Sequence, residues 1–429
     1  MMRVLVSSNS HHTHTGYGTQ SKGLIDTLLG LGHEVAIHAW YGLQGGIIQA
    51  GPVKMYPRLR HNYGNDAHVV ADDFDADLVI TLQDIWVLDE TYAERMPCPW
   101  VAWFPVDGDP APMPVVEQAR RAAYPVVFSK FAYKLLQEAG VEHVRYIPHG
   151  IDTETFAPGD KTAVRQKHGI PEDKFMVTMV AANKGYPSRK SYPEAILAFK
   201  HFHKANPDSF LYLHTAQYPP GSGINLSDVI RLVGLPEEAY SFVNQRDYAL
   251  GLPDSFLAEI YQASDVLLAP SMGEGFGLPI AEAQACGCPV ITTDATSMSE
   301  LTVNGTAVHP LQPFYTPLGH WQYVANVGGV IEALQEWRDM ETAVRAYRAA
   351  QGIEHFRQGY SWDVVGPQGW KPFLEEVEAT LSRKHDPKLH ASRMRVKKEE
   401  QNLAPSRAPV KTKKKRVKGK KREVVIDGR

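Results

Sequence analysis

The stretch from Asp265 to Thr293 limits the fold more than any other part of the chain. Asp265 to Pro270 reads D-V-L-L-A-P and Pro289 to Thr293 reads P-V-I-T-T. Short apolar runs bounded by Gly and Pro read as buried parallel strands. Between them runs S-M-G-E-G-F-G-L-P-I-A-E-A-Q-A-C-G-C. This is a glycine-rich turn, then a helix that starts near Pro279, a residue suited to the first helical turn. The unit is strand, glycine loop, helix, strand. Such a loop offers free backbone N–H groups at a helix N-terminus, where phosphate or sugar oxygens bind.

Two carboxylates, Glu274 in the loop and Glu282 in the helix, stand with seven residues between them. Glu274 is placed to accept hydrogen bonds from sugar hydroxyls, and Glu282 to hold a ribose diol. Gly275 and Gly277 leave room for a ligand against the main chain, with Phe276 and Leu278 beside them. A plain helix start with acids set against its dipole would not call for the glycines, Phe276 and both strands together.

The string E-G-F-G-L-P-I-A-E-A (Glu274 to Ala283) closely resembles the E-x7-E signature of retaining GT-B glycosyltransferases, specifically the family 4 enzymes. The segment I-P-H-G-I-D-T-E-T-F-A-P (Ile147 to Pro158) is similar to the interdomain crossing of that family. The resemblance runs over roughly residues 1 to 382 and is strongest from 144 to 305.

Taken in order, the chain alternates strand and helix, which is the pattern of a doubly wound α/β sheet. Residues 2–8 form a first strand. A loop with Gly16 and Gly18 follows, then a helix to about Leu31 and a strand over Glu34–Trp40. Further strands are expected at Leu78–Leu82, Trp100–Val106, Val126–Phe128 and Arg145–Pro148. A second series follows at Phe175–Ala182, Phe210–His214, Tyr240–Val243, Asp265–Pro270, Pro289–Thr293 and Thr306–His309. Helical pattern resumes over Gly328–Gly352 and again around Pro372–Leu381. The expected GT-B layout is two Rossmann-like domains facing across a cleft. These are an acceptor-side domain over 1–155, a donor domain over 156–340, and helices over 341–382 that return to the first domain.

A chain of 429 residues with 43% hydrophobic content can bury two cores. It has no apolar run long enough to span a membrane, and its opening residues read as a strand rather than a signal peptide. Cys98, Cys286 and Cys288 make no disulfide framework, which fits a reducing cytoplasm. The net charge of −3 hides a split: residues 383–429 hold 18 Lys and Arg against 5 Asp and Glu, and the rest hold 27 against 43. That basic segment, with K-T-K-K-K-R-V-K-G-K-K-R (Lys411 to Arg422), lacks apolar periodicity and is expected to be disordered. It suits a polyanion, either nucleic acid or an anionic surface, although it carries no aromatic side chain for base stacking.

Glycosyl transfer needs the leaving diphosphate neutralised, the sugar held and an acceptor hydroxyl brought to the anomeric carbon. Neutralisation points to A-N-K-G-Y-P-S-R-K (Ala182 to Lys190), directly after a strand. The resemblance implies a basic pair on the diphosphate. Lys184 and Lys190 are the candidates, with Arg189 adjacent and Lys184 standing where an Arg is usual. It also implies that the Gly16–Gly18 loop faces diphosphate and acceptor. Many family members carry a His at the end of a first-domain strand. The matching stretch V-A-W-F-P-V-D-G-D-P (Val101 to Pro110) has none, and Asp107 is its polar substitute. His11, His12 and His14 have no partners at metal-ligand spacing, so no metal is expected.

The sequence therefore reads as a metal-independent, retaining hexosyltransferase that uses a nucleoside-diphosphate sugar as donor substrate and needs no cofactor. Its acceptor is unidentified. Lys190, Glu274 and Asp107 are the catalytic candidates. Two other readings are a catalytically silent sugar- or nucleic-acid-binding protein tethered by its basic tail, and a glycosyltransferase acting on DNA or a DNA-associated protein.

Overall fold

The computed structural model describes residues 1–219 and 221–384. Eight strands build a first sheet: β1 (Arg3–Asn9), β2 (Glu34–Tyr41), β3 (Ile48–Ala50), β4 (Val53–Pro57), β5 (Leu78–Leu82), β6 (Trp100–Phe104), β7 (Tyr124–Val127) and β8 (Arg145–Tyr146). Their order is β3-β4-β2-β1-β5-β6-β7-β8, and only the β3–β4 pair is antiparallel. Val6 lies opposite Ile37 on one side and Ile80 on the other. The central strands L-V-I-T-L and W-V-A-W-F are buried at every residue. Helices cover both faces of such a sheet, so alternation of polar and apolar residues is lost.

A second sheet holds β9 (Phe175–Val180), β10 (Ser209–His214), β11 (Tyr240–Phe242), β12 (Val266–Ala269), β13 (Val290–Thr293) and β14 (Gly305–Val308). Its order is β11-β10-β9-β12-β13-β14, with every pair parallel. Each sheet buries its own apolar core, one around Val79, Trp100 and Phe104, the other around Val177, Phe199 and Leu213.

The strand order decides where a ligand can bind. In the first sheet the chain runs outward from β1 to β2 and β4, then returns to β5 on the other side of β1. In the second it runs from β9 to β10 and β11, then returns to β12 on the other side of β9. Loops leaving the carboxyl ends of the two strands at each reversal part in opposite directions and leave a crevice. In the first sheet these are the loops into Gly16 and through Asp84. In the second they are Ala181–Ser191 and Ser271–Gly277.

The crossing segment and the last helices lock together. Trp362 lies against Gly23 and Gly150, where added Cβ atoms would stand 2.0 and 2.3 Å from its indole, so both positions require glycine. Ile151 N donates to Tyr360 O at 2.7 Å, and Trp362 N returns a bond to Ile151 O at 3.1 Å. Trp370 meets Trp103 edge-on at 4.9 Å, and Phe373 meets Tyr124 at 5.6 Å.

The structure differs from the sequence reading in several places. Strands β3 and β4 stand between Trp40 and Leu78, where none was expected. The helical stretch expected over Gly328–Gly352 is two helices, Val327–Asp339 and Thr342–Tyr360, with Met340 and Glu341 extended between them (ψ 134° and 139°). An antiparallel hairpin, β15 (Gln312–Tyr315) and β16 (Trp321–Val324), stands where no strand was expected. The final helix, Lys371–Lys384, runs two residues into the segment read as tail. The rest of that segment lies outside the described residues.

Candidate active site

The second sheet's reversal brings its two loops into contact. Asn183 fixes the first: its amide donates to Ala216 O at 3.1 Å and Ile224 O at 2.7 Å. Met272 N donates to Arg189 O at 2.8 Å and joins that loop to the glycine loop. Thr296 and Ser297 then pin the glycine loop from below. Thr296 Oγ1 accepts from Glu274 N at 3.0 Å, and Ser297 Oγ donates to the carbonyls of Glu274 (2.8 Å) and Phe276 (2.7 Å).

Held this way, Glu274 receives two cations. Lys190 Nζ bonds its Oε1, and Arg189 Nη1 lies 3.5 Å from its Oε2 while also bonding Gly273 O. Burial alone would raise the Glu274 pKa, but the Lys190 and Arg189 charges outweigh it and hold the carboxyl at about 2. Burial pulls Lys190 below its ordinary value, and the Glu274 charge works against that. Arg189 Nη1 also sits 3.6 Å from Asp107 Oδ2, so the site reaches across to the first sheet. Asp107 follows β6 and is half-enclosed. Its other neighbours are Gln322 Nε2 at 3.2 Å and His320 Nε2 at 4.0 Å.

Glu282 lies deeper, 7% exposed, with the Tyr261 hydroxyl 3.1 Å from its Oε2. Burial, then the charge of Asp254, pushes its carboxyl up to about 8. The helix that carries it, Leu278–Ala285, begins without a side-chain cap, behind Gly277 at φ +106°. In its first turn Pro279 has no N–H, and Ile280 N donates to Gly277 O at 2.9 Å.

Several residues read from the sequence sit differently from what the pattern implied. Lys184 is exposed, and the cations gathered on Glu274 are Arg189 and Lys190. The Phe276 ring is 4% exposed and packs among His149, Phe128 and Tyr360, so only its main chain is available to a ligand. The clearance above Gly275 is filled by the protein itself: a Cβ there would meet Pro105 Cβ at 2.3 Å. Gly277 is required by its positive φ. Leu278 and Gly16 are neighbours, since a Cβ on Gly16 would lie 3.4 Å from Leu278 Cδ1. Gly18 serves the turn, where a Cβ would meet Thr13 O at 2.3 Å. Among the described residues, no three His, Cys, Asp or Glu side chains gather as a metal-ligand set.

Other residues at the site escaped the sequence reading. Tyr17, between the two glycines, donates to Asp84 Oδ2 at 3.1 Å. Burial, then Asp84, pushes the Tyr17 phenol far up. Burial, then Asp107, raises the Asp84 carboxyl. Asp84 had a legible signal: it follows a strand that ends at a sheet reversal. His320 and Gln322 had none, since they arrive on the unexpected hairpin. Beside the Tyr17 turn an open cavity of about 690 Å³ is lined by His14, Trp40, Tyr41, Arg58, Tyr248 and Leu250.

Two parallel sheets whose reversals meet over Arg189, Asp107 and Glu274, closed by a helix that returns to the first, have the GT-B glycosyltransferase fold. Sucrose-phosphate synthase from Thermosynechococcus elongatus superposes with a TM-score of 0.70 at 16% identity, over 88% of this chain and 100% of that one. Anabaena HepE in complex with UDP-glucose gives 0.62 at 18% identity, over 89% and 100%. Residues 227–313 match the glycosyl transferases group 1 family. It is 32% identical over 232 residues to the D-inositol 3-phosphate glycosyltransferase of Geodermatophilus obscurus, covering 51% of this chain and 44% of that one. The protein of the same name from Stackebrandtia nassauensis is 31% identical over 180 residues, covering 40% and 38%. The aligned segments thus span less than half the length of these relatives.

Proposed function

We propose that the protein is a retaining, metal-independent glycosyltransferase that moves a hexose from a nucleoside-diphosphate sugar to an acceptor hydroxyl. One observation carries the reading: Lys190 and Arg189 converge on Glu274 where the second sheet reverses. A diphosphate entering here meets two cations already aimed and partly desolvated. Both gain as negative charge grows on the departing phosphate, which is the condition for lowering a barrier rather than only binding tightly. Glu274, released from part of its pairing, accepts from sugar hydroxyls. Glu282 takes the ribose diol. The acceptor hydroxyl comes from the first sheet's side, through the cavity beside Tyr17 and His14, and its proton passes to the leaving phosphate on the same face. The UDP-glucose bound in the Anabaena neighbour supports a nucleoside-diphosphate donor.

The test is a panel of nucleotide sugars, each scored for thermal stabilisation and for slow hydrolysis with EDTA present. One donor should raise Tm through mass action and turn over without added metal. A panel in which none stabilises the protein, or hydrolysis that depends on added divalent metal, would overturn the reading.

A further inference from the structure

The hairpin β15–β16 joins the first sheet's loop to the second sheet's loop at the site. Trp321 N donates to Asp109 O at 2.8 Å, and Asp109 N donates back to Trp321 O at 3.0 Å. Two residues on, Tyr323 N donates to Met272 O at 2.8 Å, on the glycine loop. Between these anchors lies Gln322, buried, its Nε2 donating to Asp107 Oδ2 at 3.2 Å and reaching Asp107 O at 3.5 Å. His320 is 1% exposed, with Nε2 4.0 Å from Asp107 Oδ1 and no protein partner at Nδ1. Gly108 permits this fit, since a Cβ there would meet Trp321 O at 2.6 Å and His320 Nδ1 at 2.8 Å.

The third neighbour of Asp107 is Arg189, at 3.6 Å. Arg189 is one of the two cations that a donor diphosphate would recruit. As it turns to the phosphates, Asp107 keeps only what the hairpin gives it. We propose that Gln322 and His320 are positioning residues that hold the Asp107 carboxylate toward the transferred sugar and acceptor while Arg189 serves the diphosphate. This rests on the transferase reading above. Gln322 is an amide donor with two anchored backbone neighbours, so its aim is set by the strand. Burial lowers the His320 pKa, against the pull of Asp107, which favours a neutral ring. At 4.0 Å the Nε2 edge of the ring lies against the Asp107 carboxylate and limits its movement by packing rather than by a hydrogen bond. The other charged groups around Asp107 are Asp84 from the end of β5 and Glu274 beyond Arg189.

The experiment compares hydrolysis of the nucleotide sugar selected by the panel above, with water as acceptor, in wild type, Gln322→Leu, His320→Asn and each combined with Asp107→Asn. Gln322→Leu keeps the size and removes the donor. It should lower kcat by about tenfold or more, in line with one lost hydrogen bond to a charged group, and leave the donor KM within about twofold. In the Asp107→Asn background the same substitution should add almost nothing. Equal losses in both backgrounds, or no loss in a folded Gln322→Leu protein, would overturn the proposal. If Gln322→Leu does not fold, Gln322→Asn, which shortens the amide reach by one methylene, takes its place. A readout that needs no turnover is the NMR titration of the His320 ring. Its pKa should fall in Asp107→Asn, and identical titrations would count against the pairing even if the wild type hydrolyses no nucleotide sugar.

Discussion

The Tyr261 hydroxyl donates to Glu282 Oε2 at 3.1 Å where the carboxylate is buried, and among the described residues Glu282 makes no ion pair. Burial, then the charge of Asp254, raises its carboxyl from the ordinary 4.5 to about 8, against the pull of the Tyr261 hydrogen bond. A folded-state value above the unfolded one means that the native protein binds the extra proton between those limits. The associated stability is complete below about pH 4.5 and is lost as pH climbs through 8. Glu282→Gln should flatten that decline, and at pH 9 the variant should be more stable than wild type by about 2–4 kcal/mol. Thermal melts of both proteins from pH 5 to 9 measure it, and parallel curves would remove Glu282 as the cause. Glu282→Ala should separately raise the donor KM by a factor equivalent to about 1–3 kcal/mol if the side chain holds the ribose.

Lys190 and Glu274 form the partly buried ion pair on which the donor reading turns. Lys190→Ala should lower kcat by about a hundredfold or more, the size seen when a group aimed at transition-state charge is lost. It should also cost about 3–5 kcal/mol of stability, because Glu274 is left buried with less compensation. Adding Glu274→Gln should recover part of the Tm and none of the turnover. Recovery of both together would reduce the pair to a structural role.

The central strands could be read because they are local: β6 is an unbroken apolar run and β5 is interrupted only by Thr81, both between turn residues. Glu274 and Lys190 could be read because a sheet reversal places whatever follows two particular strands in one crevice. What could not be read depends on partners distant in the chain. Which basic residue of Ala182–Lys190 turns inward is set by Asn183, whose bonds to Ala216 and Ile224 pin the front of the loop and leave Lys184 exposed. Phe276 sits in the motif like a ligand contact, yet Phe128 and His149 of the other half make an aromatic slot for it. The hairpin is the extreme case. Pro313, Pro317 and Gly319 give it the look of a loop, and Gln322 meets its partner Asp107 across 215 residues.

The basic segment 383–429 gives a prediction that rests on its charge alone. Its 18 Lys and Arg against 5 Asp and Glu should hold the chain on heparin or DNA at low salt and release it steeply as salt rises, by counterion release. Removing the segment should abolish that retention and leave donor hydrolysis intact, since the residues assigned to the donor lie at or before Glu282. Equal retention of both proteins would reduce the segment to a solubilising appendage. If the natural acceptor is carried on a polyanion, truncation should raise the acceptor KM at low salt and have little effect at high salt.

Gly275 and Gly359 make the last prediction, with opposite signs. A Cβ on Gly275 would stand 2.3 Å from Pro105 Cβ and 3.3 Å from the Phe128 ring, both belonging to the first sheet's side. Pro105 is a rigid ring two residues before Asp107, so it cannot yield without moving the loop that carries Asp107. Gly275→Ala should cost about 1–3 kcal/mol by overpacking. It should also cut transfer sharply, because the displaced loop loses the spacing among Asp107, Arg189 and Gln322. Gly359 lies in the helix Thr342–Tyr360, and nothing stands within 4 Å of a Cβ added there. Gly359→Ala should stabilise by about 0.5–1 kcal/mol through lower backbone entropy in the unfolded chain, with turnover unchanged. Thermal melts and donor turnover of the two variants decide the matter. A Gly275→Ala protein as stable and active as Gly359→Ala would mean that the two sheets do not meet at this loop in solution.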